Sequence, residues 1–250
     1  MPSELVHLEL SDHVATVTLD SPHNRNALSR QLVGELGERL STAEADPGTR
    51  VVLLRSAHPV FCAGADLAEA ASDTGADGPR QLVSLQAQIA GMAKPVVVEL
   101  GGPVRAGGLG IVGAADIVLA AESVTFALTE VRLGLAPAVI SLSLLERLSP
   151  RAAAEIFLSA RTFGATEAAD MGLITRAVPD AELASAVEDT LNSIAGGTLQ
   201  GLSETKRLLN RDLLKRIERD GEHVARRSAE LFDSEEARAA MKAFMSRTRP

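Results

Sequence analysis

The chain has 250 residues with a formal net charge of -8, and 46% of its residues are hydrophobic. This length suffices for one large hydrophobic core with a small appended part, and the acidic balance argues against the basic face that nucleic-acid binding requires. The single cysteine, Cys62, excludes an internal disulfide and a thiolate metal cluster, and it is typical of a reducing compartment.

The N-terminal sequence MPSELVHLEL contains acidic residues and lacks the apolar segment of a signal peptide. The longest uncharged stretch in the apolar centre runs from Ala106 to Ala115, which is far shorter than the ~20 residues that a membrane-spanning helix needs. We therefore expect a cytoplasmic protein that has no membrane segment.

The first elements can be predicted from their hydrophobic patterns. Residues 4–20 alternate between apolar and polar side chains, which predicts two strands joined as a hairpin at Ser11-Asp12. Apolar residues recur at helical spacing over 27–45, and Asn26 is the predicted N-cap of that helix. The continuous apolar run at 51–55 predicts a strand that is buried on both faces.

The next part of the chain repeats this arrangement. The small, polar segment 69–80 predicts a loop, residues 81–92 predict a helix, and VVVEL at 96–100 predicts a second buried strand. Strand, glycine-rich turn and helix recur at about 51–70, 96–115 and 116–140, where the last repeat leads to a helix at 139–148. These repeats predict successive ββα units.

The sequence that follows Pro150 is predicted to be almost entirely helical. The expected helices cover residues 151–160, 165–170, 181–195, 199–214, 215–232 and 234–246. The predicted fold class is therefore α/β (α+β), with a C-terminal helical layer behind a mixed core.

Two glycine-rich turns carry the first indication of chemistry. Ala63-Gly64-Ala65-Asp66 follows a buried strand and opens a helix, and Gly107-Gly108 repeats that arrangement after the next strand. Backbone N–H groups at such positions lack intrahelical acceptors, so two such turns can together bind one oxyanion. Each turn taken alone is better explained as a simple connection between a strand and a helix.

Three longer blocks resemble the crotonase (enoyl-CoA hydratase/isomerase) family: VVLLRSAHPVFCAGADLAE, KPVVVELGGPVRAGGLGIVGAADIVLA and FALTEVRLGLAP. The resemblance implies a spiral of ββα units over residues 1–195 and a helical trimerisation region over 196–250. It also implies a homotrimer or a dimer of trimers, to which Lys242 and Phe244 would contribute. The implied substrate is an acyl-CoA thioester, and no separate cofactor is expected because coenzyme A is part of that substrate.

The resemblance also assigns roles to individual residues. It implies that the amides of Ala63 and Gly107 form the oxyanion hole for the thioester carbonyl. The residues implied to lie along coenzyme A, largely through backbone contacts, are Arg25, Ala27, Ala65, Asp66 and Leu67. Arg25 is equally well interpreted as a solvated loop charge.

By the same resemblance, Glu130 is the catalytic acid/base. Burial in an apolar pocket would raise the pKa of this carboxyl toward neutrality, which suits proton transfer. The chain departs from the hydratase pattern at Gly110, where hydratases carry a second glutamate. Glu99, in the buried run VVVEL, is expected to pair with Arg105 or Arg132 or to substitute for the missing acid.

The resulting hypotheses include several reactions and one binding role. With one glutamate, the chain is predicted to catalyse Δ3-Δ2 enoyl-CoA isomerisation or weak enoyl-CoA hydration. The alternatives are decarboxylation, thioester hydrolysis, or a catalytically impaired protein that only binds acyl-CoA. Acyl chain length and branching are not predicted.

Other motifs give little support to rival chemistry. Gly108, Gly110 and Gly113 match the dinucleotide pattern G-x-G-x-x-G, but these glycines do not directly follow the strand at 96–100, because residues 101–106, including Pro103, intervene. The five histidines lack zinc-binding spacing, so no metal site is predicted. No G-x-S-x-G element is present, which leaves a serine triad without an anchor.

Overall fold

Two β-sheets form the centre of the protein. The computed structural model describes residues 3–72 and 76–248. The strands in these residues are β1 (Val6–Ser11), β2 (Val14–Leu19), β3 (Val51–Ser56), β4 (Val96–Leu100), β5 (Val104–Arg105), β6 (Ile117–Ala121), β7 (Thr125–Ala127), β8 (Phe163–Gly164) and β9 (Arg176–Val178).

Helices surround the two sheets. Those in the described residues are α1 (Arg30–Ala45), α2 (Leu67–Ser72), α3 (Asp77–Gly91), α4 (Gly108–Ala114), α5 (Ser141–Arg147), α6 (Pro150–Ser159), α7 (Ala165–Asp170), α8 (Leu183–Ala195), α9 (Leu199–Leu209), α10 (Arg211–Asp233) and α11 (Glu235–Thr248). No helix among them has the length and apolar character to cross a membrane.

The larger sheet has six strands in the order β1-β2-β3-β4-β6-β9. The first pair is the predicted antiparallel hairpin, and all other neighbours in this sheet are parallel. Asp12 and His13 have φ values of 48° and 68°, so the hairpin turns through two residues in the left-handed region. Residues 51–54 and 96–98 are fully or almost fully buried, which confirms the prediction of strands covered on both faces.

The smaller sheet explains the repeating pattern of the sequence. Its order is β5-β7-β8, with β5 parallel to β7. One strand of the large sheet, one strand of the small sheet and a helix follow each other as β4-β5-α4 and again as β6-β7-α5. The first repeat is similar, since a bridge between Cys62 and Val104 lies between β3 and α2. The predicted ββα units and the mixed fold class are therefore confirmed.

Two predicted boundaries in the N-terminal half are wrong. Helix α1 begins at Arg30, and its N-cap is Ser29, whose Oγ accepts a hydrogen bond from the Leu32 amide. Asn26 precedes it with φ 54° and is no cap. Most of the predicted loop 69–80 is helical, because α2 extends to Ser72 and α3 begins at Asp77. Pro79 is compatible with α3 because it lies in the first turn, where a backbone N–H has no helical acceptor. Residues 73–75 of that prediction lie outside the described residues.

The C-terminal part is helical with two interruptions that the sequence pattern did not indicate. Strand β8 pairs with β7, and β9 adds the last strand to the large sheet by pairing with β6. Helices α9 and α10 are separated at Asn210, whereas the sequence pattern predicted the break between residues 214 and 215. Helix α10 packs directly on α3 and α5 of the core. The predicted division of the chain into a core and a C-terminal helical region after residue 195 stays a prediction.

Candidate active site

The loops that follow β3 and β4 lie side by side. These strands are parallel neighbours, so both loops leave the sheet at the same edge. The amide of Phe61 donates to the carbonyl of Pro103 (3.1 Å), and the amide of Arg105 donates to the carbonyl of Cys62 (2.9 Å). The two glycine-rich turns are therefore held together by backbone hydrogen bonds.

One of the two predicted oxyanion donors is engaged elsewhere. The Ala63 amide donates to the Arg25 carbonyl at 3.1 Å, so it is not free to bind a substrate oxygen, and the prediction for Ala63 is corrected. The amides of Ala65 and Gly107 have no hydrogen-bond acceptor among the described residues. A Cβ built on Gly107 would lie 3.8 Å from the Ala65 nitrogen, so these two positions face each other closely.

Ala65 and Gly107 line a cavity of about 220 Å³. Its wall is largely apolar, and it is bounded by the two turns, the start of α3, the segment that precedes α5, and α10. The apolar side chains that line it include Leu28, Val33, Leu82, Leu133, Leu135, Val139, Ile140 and Phe232. Such a cavity suits an aliphatic ligand whose polar end is held by backbone groups.

Glu130 brings a carboxyl group into this cavity. It is the first residue of a 3-10 turn, Glu130–Leu133, and it is the predicted acid/base. Its Oε2 is buried and has no hydrogen-bond partner in the described part of the chain. Burial raises the pKa of Glu130 to about 7. A carboxyl with this pKa can both accept and return a proton near neutral pH.

The space beside Gly110 is filled by other side chains. A Cβ built on this residue would lie 2.9 Å from Cγ2 of Ile140 and 3.4 Å from Cδ of Gln86. Gln86 is fully buried, donates from Nε2 to the Val139 carbonyl (3.2 Å) and accepts from the Ser143 hydroxyl (2.7 Å). A second carboxylate is therefore missing from this position, and the space that it would need is occupied.

Glu99 does not replace that acid. It is absent from the residues that line the cavity, and burial raises its pKa while Arg55 opposes the rise. The predicted pairing with Arg105 is wrong, because the Arg105 guanidinium donates to the carbonyl (2.6 Å) and the hydroxyl (2.9 Å) of Thr125. No ion pair joins Glu99 to Arg132 within the described residues.

The five residues predicted to contact coenzyme A fall into two groups. Ala65, Asp66 and Leu67 line the cavity, whereas Arg25 is exposed, Ala27 is buried, and neither of them lines it. The Asp66 carboxylate accepts from the Asn24 amide group (3.0 Å) and from the backbone amide of Ala68 (3.0 Å), so it caps α2.

The C-terminal helices form one side of the cavity, and Ser228 and Phe232 were not among the predicted site residues. Ser228 and Phe232 of α10 line it, as does Phe244 of α11. Phe244 was expected at a subunit boundary, and in this structure it lines the cavity of its own chain. The sequence predicts helices in this region but does not indicate which cavity they cover.

The features that suggested other chemistry have structural explanations. The three glycines of the G-x-G-x-x-G pattern lie inside α4 and are buried, where Gly108 packs on Cys62 and Gly113 on Ser143. His58 donates from Nε2 to the carboxylate of Asp20 (2.6 Å). No group of three or more metal-binding side chains that could hold an ion occurs in residues 3–72 and 76–248.

Comparison with known proteins identifies the family of this chain. A family model described as enoyl-CoA hydratase/isomerase matches residues 9–250. The chain is 30% identical to an enoyl-CoA hydratase of Mycobacterium tuberculosis, over 100% of this chain and 96% of that protein. It is 27% identical to a peroxisomal Δ(3,5)-Δ(2,4)-dienoyl-CoA isomerase of Arabidopsis thaliana, over 99% and 95% of the two chains.

Solved structures give the same result. The crystal structure of an enoyl-CoA hydratase from Mycobacterium avium superposes with a TM-score of 0.92 at 43% identity, and the match covers 99% of this chain and 98% of that chain. The family model spans nearly the whole sequence, and the matches to these two relatives cover at least 95% of each chain. The chain therefore belongs to the enoyl-CoA hydratase/isomerase (crotonase) family of enzymes.

Proposed function

We propose that this protein is a Δ3-Δ2 enoyl-CoA isomerase that uses Glu130 as its single acid/base. Membership of the family implies an acyl-CoA substrate. The observation that carries the proposal is the buried Oε2 of Glu130, which shares one cavity with the amides of Ala65 and Gly107; none of these three groups has a hydrogen-bond partner among the described residues. A relative named as a dienoyl-CoA isomerase supports isomerisation as a reaction within this family.

The proposed reaction moves one proton and one double bond. The Glu130 carboxylate removes a proton from Cα of a 3-enoyl-CoA, and the electron pair of that C–H bond delocalises into a dienolate. The thioester oxygen becomes negatively charged and accepts hydrogen bonds from the amides of Ala65 and Gly107. The protonated Glu130 then returns the proton to Cγ, which leaves the double bond between Cα and Cβ. No water and no second acid enter this sequence.

Hydration is less well supported because it needs a second group that handles water. Among the described residues that line the cavity, Glu130 is the one carboxylate with a buried oxygen that lacks a hydrogen-bond partner. The other acids there, Asp66 and Glu69, accept bonds from backbone amides. Losing one of two general acid/base groups typically costs about 10²- to 10⁴-fold in rate. Weak hydration therefore remains secondary to isomerisation in this proposal.

The proposal can be tested with two substrates. Incubation with a 3-enoyl-CoA is expected to increase the absorbance of the conjugated thioester, and incubation with a 2-enoyl-CoA is expected to leave that absorbance nearly unchanged. A fast loss of absorbance from the 2-enoyl-CoA would identify a hydratase and contradict the proposal. Binding of both esters without any reaction would favour the catalytically impaired acyl-CoA-binding protein, and release of free thiol would identify a hydrolase.

We expect that introducing the missing acid does not create a hydratase. Because Ile140 and Gln86 crowd the site, Gly110→Glu should destabilise the fold by about 1–3 kcal/mol and should not produce hydration of a 2-enoyl-CoA. Thermal unfolding and the 2-enoyl-CoA assay measure the two effects. Gly34→Glu is the matched control, since nothing lies within 4 Å of a Cβ at Gly34. A stable Gly110→Glu variant that hydrates rapidly would show that the space opens easily.

We also propose that the protein assembles as a homotrimer or dimer of trimers and that it is cytoplasmic. Large apolar side chains that are exposed on the single chain support an interface: Leu145, Leu158, Leu208 and Leu209. The molar mass in solution, measured by light scattering, distinguishes three, six and one copies.

A further inference from the structure

The loop that carries the Ala65 amide is attached on one side to residues 21–28. The Arg25 carbonyl accepts from the Ala63 amide (3.1 Å), and the Leu28 amide donates to the Gly64 carbonyl (2.8 Å). These bonds fix the two residues immediately before Ala65. The geometry of residues 21–28 therefore determines where the Ala65 amide lies.

Asn26 makes most of the side-chain hydrogen bonds between these two segments, alongside the bond from Asn24 to Asp66. It is fully buried, and its Nδ2 lies 2.8 Å from Oγ of Ser56 and 3.2 Å from the carbonyls of both Val60 and Phe61. Its Oδ1 accepts from the Ser21 amide at 2.7 Å. One side chain thus ties the start of residues 21–28 to the end of β3 and to the loop that follows it.

The backbone of Asn26 is part of the same arrangement. Its φ of 54° and the φ of 58° at Arg25 place both residues in the left-handed region. Asparagine tolerates this conformation better than most residues do. The left-handed pair turns the chain so that the Arg25 carbonyl meets Ala63 while the Asn26 side chain meets Val60 and Phe61.

The other side of the loop is bonded to the turn that carries the Gly107 amide. Cys62 bridges Val104, and its carbonyl accepts from the Arg105 amide two residues before Gly107. The loop after β3 therefore lies between residues 21–28 and the turn that carries Gly107. A displacement of the loop would change the distance between the Ala65 and Gly107 amides.

From these contacts we propose that Asn26 is a positioning residue for the oxyanion hole, a role that rests on the proposed function. It does not line the cavity in which the substrate is proposed to bind. Its side chain sets the loop that presents the Ala65 amide. Loss of its amide donor would leave the carbonyls of Val60 and Phe61 without that partner and would let the loop shift.

Two substitutions separate this role from a purely structural one. Asn26→Asp keeps the shape, the tolerance for positive φ and an acceptor for the Ser21 amide, but it places an oxygen against two carbonyl oxygens. Asn26→Gly keeps the backbone conformation and removes the side chain, so it provides a milder variant if the aspartate prevents folding.

The decisive measurement is the pH at which a bound 3-ketoacyl-CoA converts to its enolate, followed by near-ultraviolet absorbance. The enolate places negative charge on the thioester oxygen, whereas a saturated acyl-CoA does not. We expect the wild type to lower the enolisation pH below that of the free ligand. In both Asn26 variants the enolate should be stabilised about 10- to 100-fold less than in the wild type, so the enolisation pH should rise by about one to two units. Their affinity for a saturated acyl-CoA should stay close to that of the wild type.

Asn210→Ala is the matched control. Asn210 is also buried and donates from Nδ2 to the Ala90 carbonyl (3.2 Å) and to Asp116 (2.7 Å), but it does not line the cavity. This variant should lose thermal stability and keep the wild-type enolisation pH.

The possible results are distinguishable. Enolisation at the wild-type pH in both Asn26 variants would overturn the proposal, and so would an equal shift in Asn210→Ala. If the wild type itself does not lower the enolisation pH, the oxyanion hole and hence the proposed function fail first.

Discussion

Glu130→Gln is expected to lower kcat for the isomerisation of a 3-enoyl-CoA by about 10²- to 10⁴-fold. Glutamine has nearly the same shape as glutamate but cannot accept the Cα proton. Binding of a saturated acyl-CoA should change little, because the cavity wall and the amides of Ala65 and Gly107 remain. Steady-state kinetics together with a direct binding measurement test this expectation.

Glu44→Gln provides the control for this variant. Glu44 also has a buried carboxylate oxygen, Oε2, without a partner in the described residues, and its Oε1 accepts from the Ala93 amide (2.8 Å). It does not line the cavity. Wild-type kinetics in Glu44→Gln and a large loss in Glu130→Gln would assign the effect to position 130. An equal activity of Glu130→Gln and wild type would remove Glu130 from the mechanism.

The pH dependence of the wild-type reaction should report the ionisation of Glu130. Glu130 must be ionised to take the proton, and burial raises its pKa to about 7. The value of kcat/KM should therefore rise with pH and level off above about 7. The residual activity of Glu130→Gln should lack this step.

Ala65→Pro is expected to lower kcat by about 10²- to 10³-fold, because proline has no N–H to offer the dienolate oxygen. The substitution breaks no hydrogen bond of the folded chain, since the Ala65 amide has no acceptor in the described residues. Kinetics with the 3-enoyl-CoA and thermal unfolding measure the effects on rate and fold.

Ala65→Gly keeps the N–H and serves as the matched variant, for which we expect activity near that of the wild type. The comparison also decides between the two alanines of the turn. If Ala65→Pro is fully active and folded, the Ala65 amide does not bind the oxygen and is not part of the oxyanion hole.

The elements that could be predicted from the sequence are those with strong local patterns. The alternation over residues 4–20 and the continuous apolar runs at 51–55 and 96–100 correspond to β1, β2, β3 and β4. Each pattern reports how many faces of a strand are buried, which is a local property. Glu130 could be identified only through the resemblance, because a glutamate at the start of a short turn is unremarkable by itself.

The features that could not be predicted depend on contacts between distant residues. Strand β9 has three residues, which is too short for a period, and it exists because it pairs with β6. Ala63 and Ala65 are equivalent in the sequence pattern, and only the hydrogen bond from Ala63 to the Arg25 carbonyl distinguishes them. Asparagine is a common N-cap residue, but Asn26 has a left-handed φ, and its side chain contacts the loop that follows β3.

The buried carboxyl of Glu130 also affects the stability of the fold. Its pKa rises from 4.5 in the unfolded chain to about 7 in the folded protein, so the folded state binds this proton more tightly. The resulting contribution to the free energy of unfolding is complete below pH 4.5 and is lost as the pH rises through about 7. Each unit of this rise corresponds to about 1.4 kcal/mol. The ionised form that removes the substrate proton is therefore the form that destabilises the enzyme.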